Sequence, residues 1–249
     1  MSRKIIVIIA ALLVLSSAAY AQTERDLTIP EQEWQTDDGV WFIQGGVRSA
    51  GTGVFDPFVR IKASPTERGY NTDYRPVQFD EYTAANYTHA LLLWTVPTYQ
   101  LPDGILYREF KLNVNEPGEG EGRFISLDEV RLYLTNDNNL HDYPGSFPPR
   151  IFDLDEPFLL GVPQDNYIKL DVTLGPGMGK GDMSMYVPDS MFTGGYQYVT
   201  LYSKFGVNVP CTDGYEDWGV VTVIPEPTGL LALFCGFAGL SGMIVRRRR

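Results

Sequence analysis

Residues 126–135 read SLDEVRLYLT. Val130, Leu132 and Leu134 alternate there with Arg131, Tyr133 and Thr135. Successive side chains on an extended backbone point to opposite sides, so period two with one apolar set predicts a half-buried strand. A helical opening is the alternative, with Ser126 as N-cap and Glu129 closing a capping box. The alternation outlasts the single turn such a box would start, and a strand is predicted.

The same period recurs outward from this stretch. Ile168, Leu170, Val172 and Leu174 alternate with Lys169, Asp171 and Thr173; Phe110, Leu112 and Val114 alternate with Glu109, Lys111 and Asn113. Further strands are predicted over residues 40–44, 58–63, 89–96, 183–187, 199–205 and 219–223. Between them lie EPGEGEG (116–122), TNDNN (135–139), DYPGSFPP (142–149) and GPGMGKGD (175–182), whose residues favour turns. Nine or ten strands in roughly 200 residues predict an all-β fold, an antiparallel β-sandwich of jelly-roll type. Leu112, Leu132, Leu170 and Val172 are its predicted core. No internal repeat argues for a solenoid.

The two ends differ from this middle. Arg3 and Lys4 precede an eleven-residue apolar run, residues 5–15, too short for a comfortable membrane span. Ala19-Tyr20-Ala21 fits the small-x-small rule, so residues 1–21 read as a signal peptide cleaved between Ala21 and Gln22. An uncleaved anchor or a buried strand is the plainer alternative. At the other end, residues 229–245 carry no charge and reach the lower limit for a transmembrane helix. Arg246, Arg247, Arg248 and Arg249 follow and should stay cytoplasmic, acting as a basic stop-transfer tail. Pro225-Glu226-Pro227 sits just outside the span, where its prolines hold the chain extended and open to processing. The expected division is therefore signal peptide 1–21, extracellular domain 22–223 and sorting segment 224–249.

Pro225-Glu226-Pro227, an apolar span rich in Leu and Gly, and a terminal arginine cluster together resemble the PEP-CTERM sorting signal. The resemblance implies recognition by exosortase, a membrane-embedded cysteine protease-transpeptidase, after signal peptidase has acted. It implies export through the inner membrane, a membrane-anchored precursor and a mature form at the cell surface or outside, in Gram-negative bacteria that make exopolysaccharide. A plain tail anchor is the alternative. Residues 51–220, with GTGVFDPFVRIKASPTERGYNTDYRPVQFDE, YREFKLNVNEP, SLDEVRLYL, GDMSMYVPDSMF, YVTLYSKFG and DGYEDWGV, resemble an uncharacterised domain recurrent in PEP-CTERM proteins. That resemblance implies one intact domain and no particular chemistry.

The chain carries a net charge of −11. Without the two processing segments the remaining domain holds fourteen basic against thirty acidic residues, a net of −16. Such a surface repels phosphate backbones, and nucleic acid is not an expected partner. Cys211 and Cys235 fall on opposite sides of the predicted membrane boundary, so they are not expected to pair.

Catalytic signals are sparse. His89 and His141 are the only histidines, no G-x-S-x-G elbow occurs, and no H-E-x-x-H or C-x-x-C provides a zinc ligand set. Cys211 has neither a histidine nor a cation beside it in sequence. Calcium needs six to eight oxygens on loops. Asn136, Asp137 and Asn138, then Asp153, Asp155 and Glu156, then Asp213, Glu216 and Asp217 supply them in acidic loops, with Asp137 and Asp213 as the candidate ligands. The same residues also suit ordinary turns. Glu109 and Glu129 fall on the polar face of their strands and are expected to be solvated. Trp34, Trp41, Trp94 and Trp218 are the candidates for stacking on sugar rings. The leading expectation is a non-enzymatic surface or matrix protein associated with exopolysaccharide. The rival is a carbohydrate-binding or carbohydrate-active module.

Overall fold

The computed structural model describes residues 21–45, 54–155, 164–175, 181–212 and 214–222. Of the expected signal peptide only Ala21 is among them; the sorting motif, residues 229–245, the arginine tail, Cys235, Glu156 and Asp213 lie outside them. Among the described residues no helix is long and apolar enough to cross a membrane.

The described residues are all-β, in two seven-stranded sheets. Its strands are β1 (Ala21–Leu27), β2 (Glu33–Gln35), β3 (Trp41–Gln44), β4 (Val54–Ile61), β5 (Glu67–Tyr70), β6 (Leu91–Leu92) and β7 (Thr98–Gln100). They continue with β8 (Leu106–Val114), β9 (Phe124–Thr135), β10 (Arg150–Asp153), β11 (Gln164–Asp171), β12 (Met183–Pro188), β13 (Tyr198–Phe205) and β14 (Glu216–Thr222). The first sheet runs β1-β11-β9-β13-β5, with β10 on β9 and β6 on β13; the second runs β2-β3-β12-β8-β14-β4, with β7 on β8. One core cluster takes Ile125, Leu132, Leu170 and Leu201 from the first sheet and Phe42, Phe110, Met185 and Trp218 from the second. The sheets therefore pack over a shared core in a sandwich-like arrangement.

The antiparallel expectation holds for every named ladder but one. β1 runs parallel to β11, from Ala21↔Gln164 to Leu27↔Leu170. A strand entering from the N-terminus needs no hairpin to its neighbour, so either direction is open to it.

The decisive stretch is a strand, but its alternation shifts phase. Val130, Leu132 and Leu134 face the core, as do Ile125 and Leu127. Leu127 and Val130 are three apart, which period two alone forbids. The ladder to β13 slips between Lys204↔Glu129 and Phe205↔Leu127, leaving Asp128 as an extra residue. This is a β-bulge. Asp128 turns its carboxylate to the amides of Val207 (2.8 Å) and Asn208 (3.2 Å), and the Ser126 hydroxyl donates to it (2.9 Å). The Ser126/Glu129 spacing that suggested a helical cap belongs to this bulge.

Two boundaries depart from expectation for a local reason. Residues 89–96 yield only β6, because Leu93–Thr95 form a 3-10 turn in which Thr95 Oγ1 donates to the Leu92 carbonyl at 2.7 Å. β11 ends at Asp171, whose carboxylate takes the Thr173 amide and hydroxyl and closes a turn. Val172 consequently sits at the margin of the core, whereas Leu112, Leu132 and Leu170 are inside it.

Candidate functional site

The tryptophans separate sharply in space. Trp218 is fully buried, and its indole N–H donates to Ser203 Oγ on the opposite sheet at 3.1 Å. Trp34 is half-buried, stacked on Phe42 at 5.5 Å with the Arg25 guanidinium over its ring. Trp41 packs on a satellite cluster of Ile43, Tyr107 and Tyr186. Trp94 alone is left to solvent, at 77% exposure.

The local chain explains that exposure. Pairing of β6 with β13 fixes Leu92 opposite Tyr198, and the Leu93 amide donates to the Gln197 carbonyl at 2.8 Å. The 3-10 turn then throws Trp94 outward. Arg108 on β8 pins the turn from beneath, donating to the carbonyls of Leu93 (2.7 Å) and Val96 (3.1 Å) and pairing with Asp189 at 2.8 Å. Across the gap, Gly194 and Gly195 adopt φ of +96° and +73°, a turn that side chains resist, and deliver Tyr196 at 41% exposure. The result is an open cleft of about 390 Å³ lined by Leu92, Leu93, Trp94, Arg108, Tyr196 and Gln197.

Two exposed rings beside amide and guanidinium groups suit a ligand with apolar faces and hydroxyl edges. The lining includes no Asp or Glu, so the paired carboxyls that glycoside hydrolysis uses are not in this cleft. Sequence reasoning named Trp94 among four tryptophans and missed Tyr196, whose only signal was the preceding Gly-Gly.

The other predicted positions fall elsewhere. Glu109 is buried, a correction to its expected solvation. Ser184 Oγ (2.9 Å) and Tyr186 OH (2.8 Å) donate to it, and Lys111 Nζ lies 3.4 Å away. Aromatic side chains cover the outer face of the second sheet there, which the alternation of β8 cannot reveal. Glu129 stays partly exposed and pairs with Arg131 at 2.7 Å and Lys204 at 3.3 Å.

The acidic loops prove to be largely occupied. Asp137 Oδ1 accepts the Asn139 amide within its own turn at 2.8 Å. Asp153 ends β10 and pairs with Arg131 (2.9 Å) and Arg150 (3.1 Å); Asp217 is a strand residue held by Arg60 through two bonds, 2.5 and 2.7 Å. Asp155 is partly buried beside Asp153 and Asp165; desolvation first, and those charges second, push its carboxyl up to about 7. Among the described residues no group of three or more His, Cys, Asp or Glu is placed to hold a metal ion.

His141 stacks on Tyr74 at 4.2 Å, while His89 lies in the loop before β6. Cys211 is buried, and desolvation together with Glu67, Glu216 and Glu116 pushes its thiol far up, so no nucleophilic thiolate is available there. No family model, no curated protein and no solved structure matches this chain.

Proposed function

We propose that this chain is an exported, exosortase-sorted surface protein of non-enzymatic character whose jelly-roll-like domain binds extracellular polysaccharide. The observation that carries the binding reading is Trp94, held out to solvent by a braced turn and facing Tyr196 across an open cleft. Two exposed rings at one cleft offer a ligand apolar area whose burial is worth about 2 kcal/mol per ring. A braced platform also spares the ordering cost that a mobile loop would incur on binding. The net charge of −16 on the domain favours a neutral polysaccharide over a polyanion. The export reading rests on the terminal motifs.

Affinity electrophoresis of the purified chain against neutral and acidic polysaccharides tests the binding. Trp94→Ala is expected to weaken association by about tenfold or more, equivalent to about 1.4 kcal/mol, with Tyr196→Ala doing less. Trp94→Ala should not move the thermal midpoint appreciably, since that ring is largely in solvent. Retention unchanged in the double variant would refute the cleft as the site. For the ends, intact-mass measurement of the extracellular form should find a chain starting at Gln22 and lacking everything beyond Pro225-Glu226-Pro227. A mass that still includes residues 246–249 would refute tail removal.

A further inference from the structure

Where the first sheet meets the second at one end of the core, two glutamates face each other away from water. Glu67 opens β5, opposite Phe205 of β13, and is 1% exposed. Glu216 opens β14, between Ile61 of β4 and Val114 of β8, and is 0% exposed. Glu67 Oε2 accepts the Ala63 amide at 2.8 Å. Its Oε1 and both oxygens of Glu216 meet no donor from the rest of the described protein. An ionised carboxylate so placed gives up its hydration without compensation. The two carboxyls do contact one another. Neither carboxylate is a donor, so that contact becomes a hydrogen bond only when one of them carries a proton.

The surroundings offer no other neutralising charge. Glu116, beyond β8, is taken by the Thr212 amide (2.9 Å) and hydroxyl. Asp217, next along β14, is held by Arg60. Asp80 accepts the Arg68 amide at 3.0 Å. The buried Cys211 thiol lies within electrostatic reach of Glu67, Glu216, Glu116 and Asp128 of β9. Among the described residues no ion pair reaches Glu67, Glu116 or Glu216.

We propose that Glu67 and Glu216 share a single proton, and that this proton latches β5 of one sheet to β14 of the other in a pH-sensitive way. Desolvation first, with the Glu116 charge adding to it, holds both groups above the ordinary glutamate range; the contact with Glu67 raises Glu216 further, while the contact with Glu216 offsets part of the rise at Glu67. An acid raised in the folded state contributes stability that is fully present below its unfolded value, about 4.3, and is lost as pH rises through its folded value. Above that point two buried charges repel across the sheets, and this end of the domain loosens while the bulk of the core stays packed.

The test compares urea unfolding of the wild-type chain and Glu216→Gln from pH 5 to pH 8. The amide donates to Glu67 without a titrating proton, so the variant should lose less stability over that range. Glu81, Asp128, Asp155 and Asp182 are also raised by burial, but they are common to both proteins and cancel in the difference. Parallel profiles would overturn the latch. Glu67→Gln is the mirror variant should Glu216→Gln not fold. On the unaltered chain, carbon-13 NMR of labelled glutamate should find a protonated carboxyl well above the ordinary range, and every glutamate titrating normally would overturn the proposal. Calcium chloride and chelator arms at pH 8 separate a cation from a proton. A calcium-specific rise in wild-type stability that is absent in Glu216→Gln would assign the space to a cation and reject the shared proton.

Discussion

Replacing Trp218 with alanine is expected to lower the unfolding free energy by about 4 kcal/mol, the largest single effect in the domain. The residue belongs to β14 of the second sheet, opposite Val59 and Leu112, yet its indole N–H reaches Ser203 on β13 of the first. Truncation removes apolar area, leaves a cavity between the sheets and strips a buried serine of its donor. The next residue shows how tightly this strand is set. The ladder slips between Trp218 and Gly219, and a Cβ on Gly219 would lie 2.6 Å from the Phe55 ring and 2.8 Å from the Asp56 carbonyl oxygen. The core therefore has little freedom to collapse around a missing ring. Trp218→Phe keeps most of the volume and should lose about 1–2 kcal/mol. Urea denaturation with an unchanged slope reads both, and a loss under about 1 kcal/mol for the alanine variant would contradict this packing.

Glu109→Ala is expected to lose about 3 kcal/mol by a different route. Here the volume removed is modest, but Lys111 stays behind as a buried cation without its partner, and Ser184 and Tyr186 lose their shared acceptor. The double variant Glu109→Ala/Lys111→Met should recover much of the loss, because a buried pair replaced by apolar groups no longer requires either charge to be desolvated. A double variant no more stable than Glu109→Ala would show that the damage comes from the lost hydroxyl bonds instead of the stranded charge.

Burial is what separated these residues from their sequence reading. In β8 the period-two pattern correctly placed Phe110, Leu112 and Val114 on one face and Glu109 and Lys111 on the other. Alternation reports which side a residue takes, not whether that side meets water. The second sheet's outer face is roofed by Tyr107, Tyr186 and Trp41, which arrive from three different strands. The bulge at Asp128 was hidden for a related reason. Its cause is a set of amides from residues 207–208, some eighty positions away, and local spacing carries no trace of them.

The candidate cleft divides in the same manner. Trp94 was visible as a tryptophan, and the four tryptophans were equal until packing assigned Trp218 to the core, Trp34 and Trp41 to half-buried contacts, and Trp94 to solvent. Tyr196 and Arg108 join it from distant parts of the chain only because β6 pairs with β13 and Arg108 reaches up from β8 to the turn carbonyls.

By itself the sequence determined the strand class and most of the inward-facing apolar set, and it set apart two terminal stretches of different composition. Those follow from properties that neighbouring residues carry: period two, turn chemistry, and runs of charge or its absence. Only the tertiary structure decided the parallel docking of β1, the buried Glu109–Lys111 pair, the meeting of Glu67 with Glu216, and the cleft at Trp94. Each of these depends on which surfaces close over one another, and desolvation, the term that gives them their chemistry, arises only when distant strands come together.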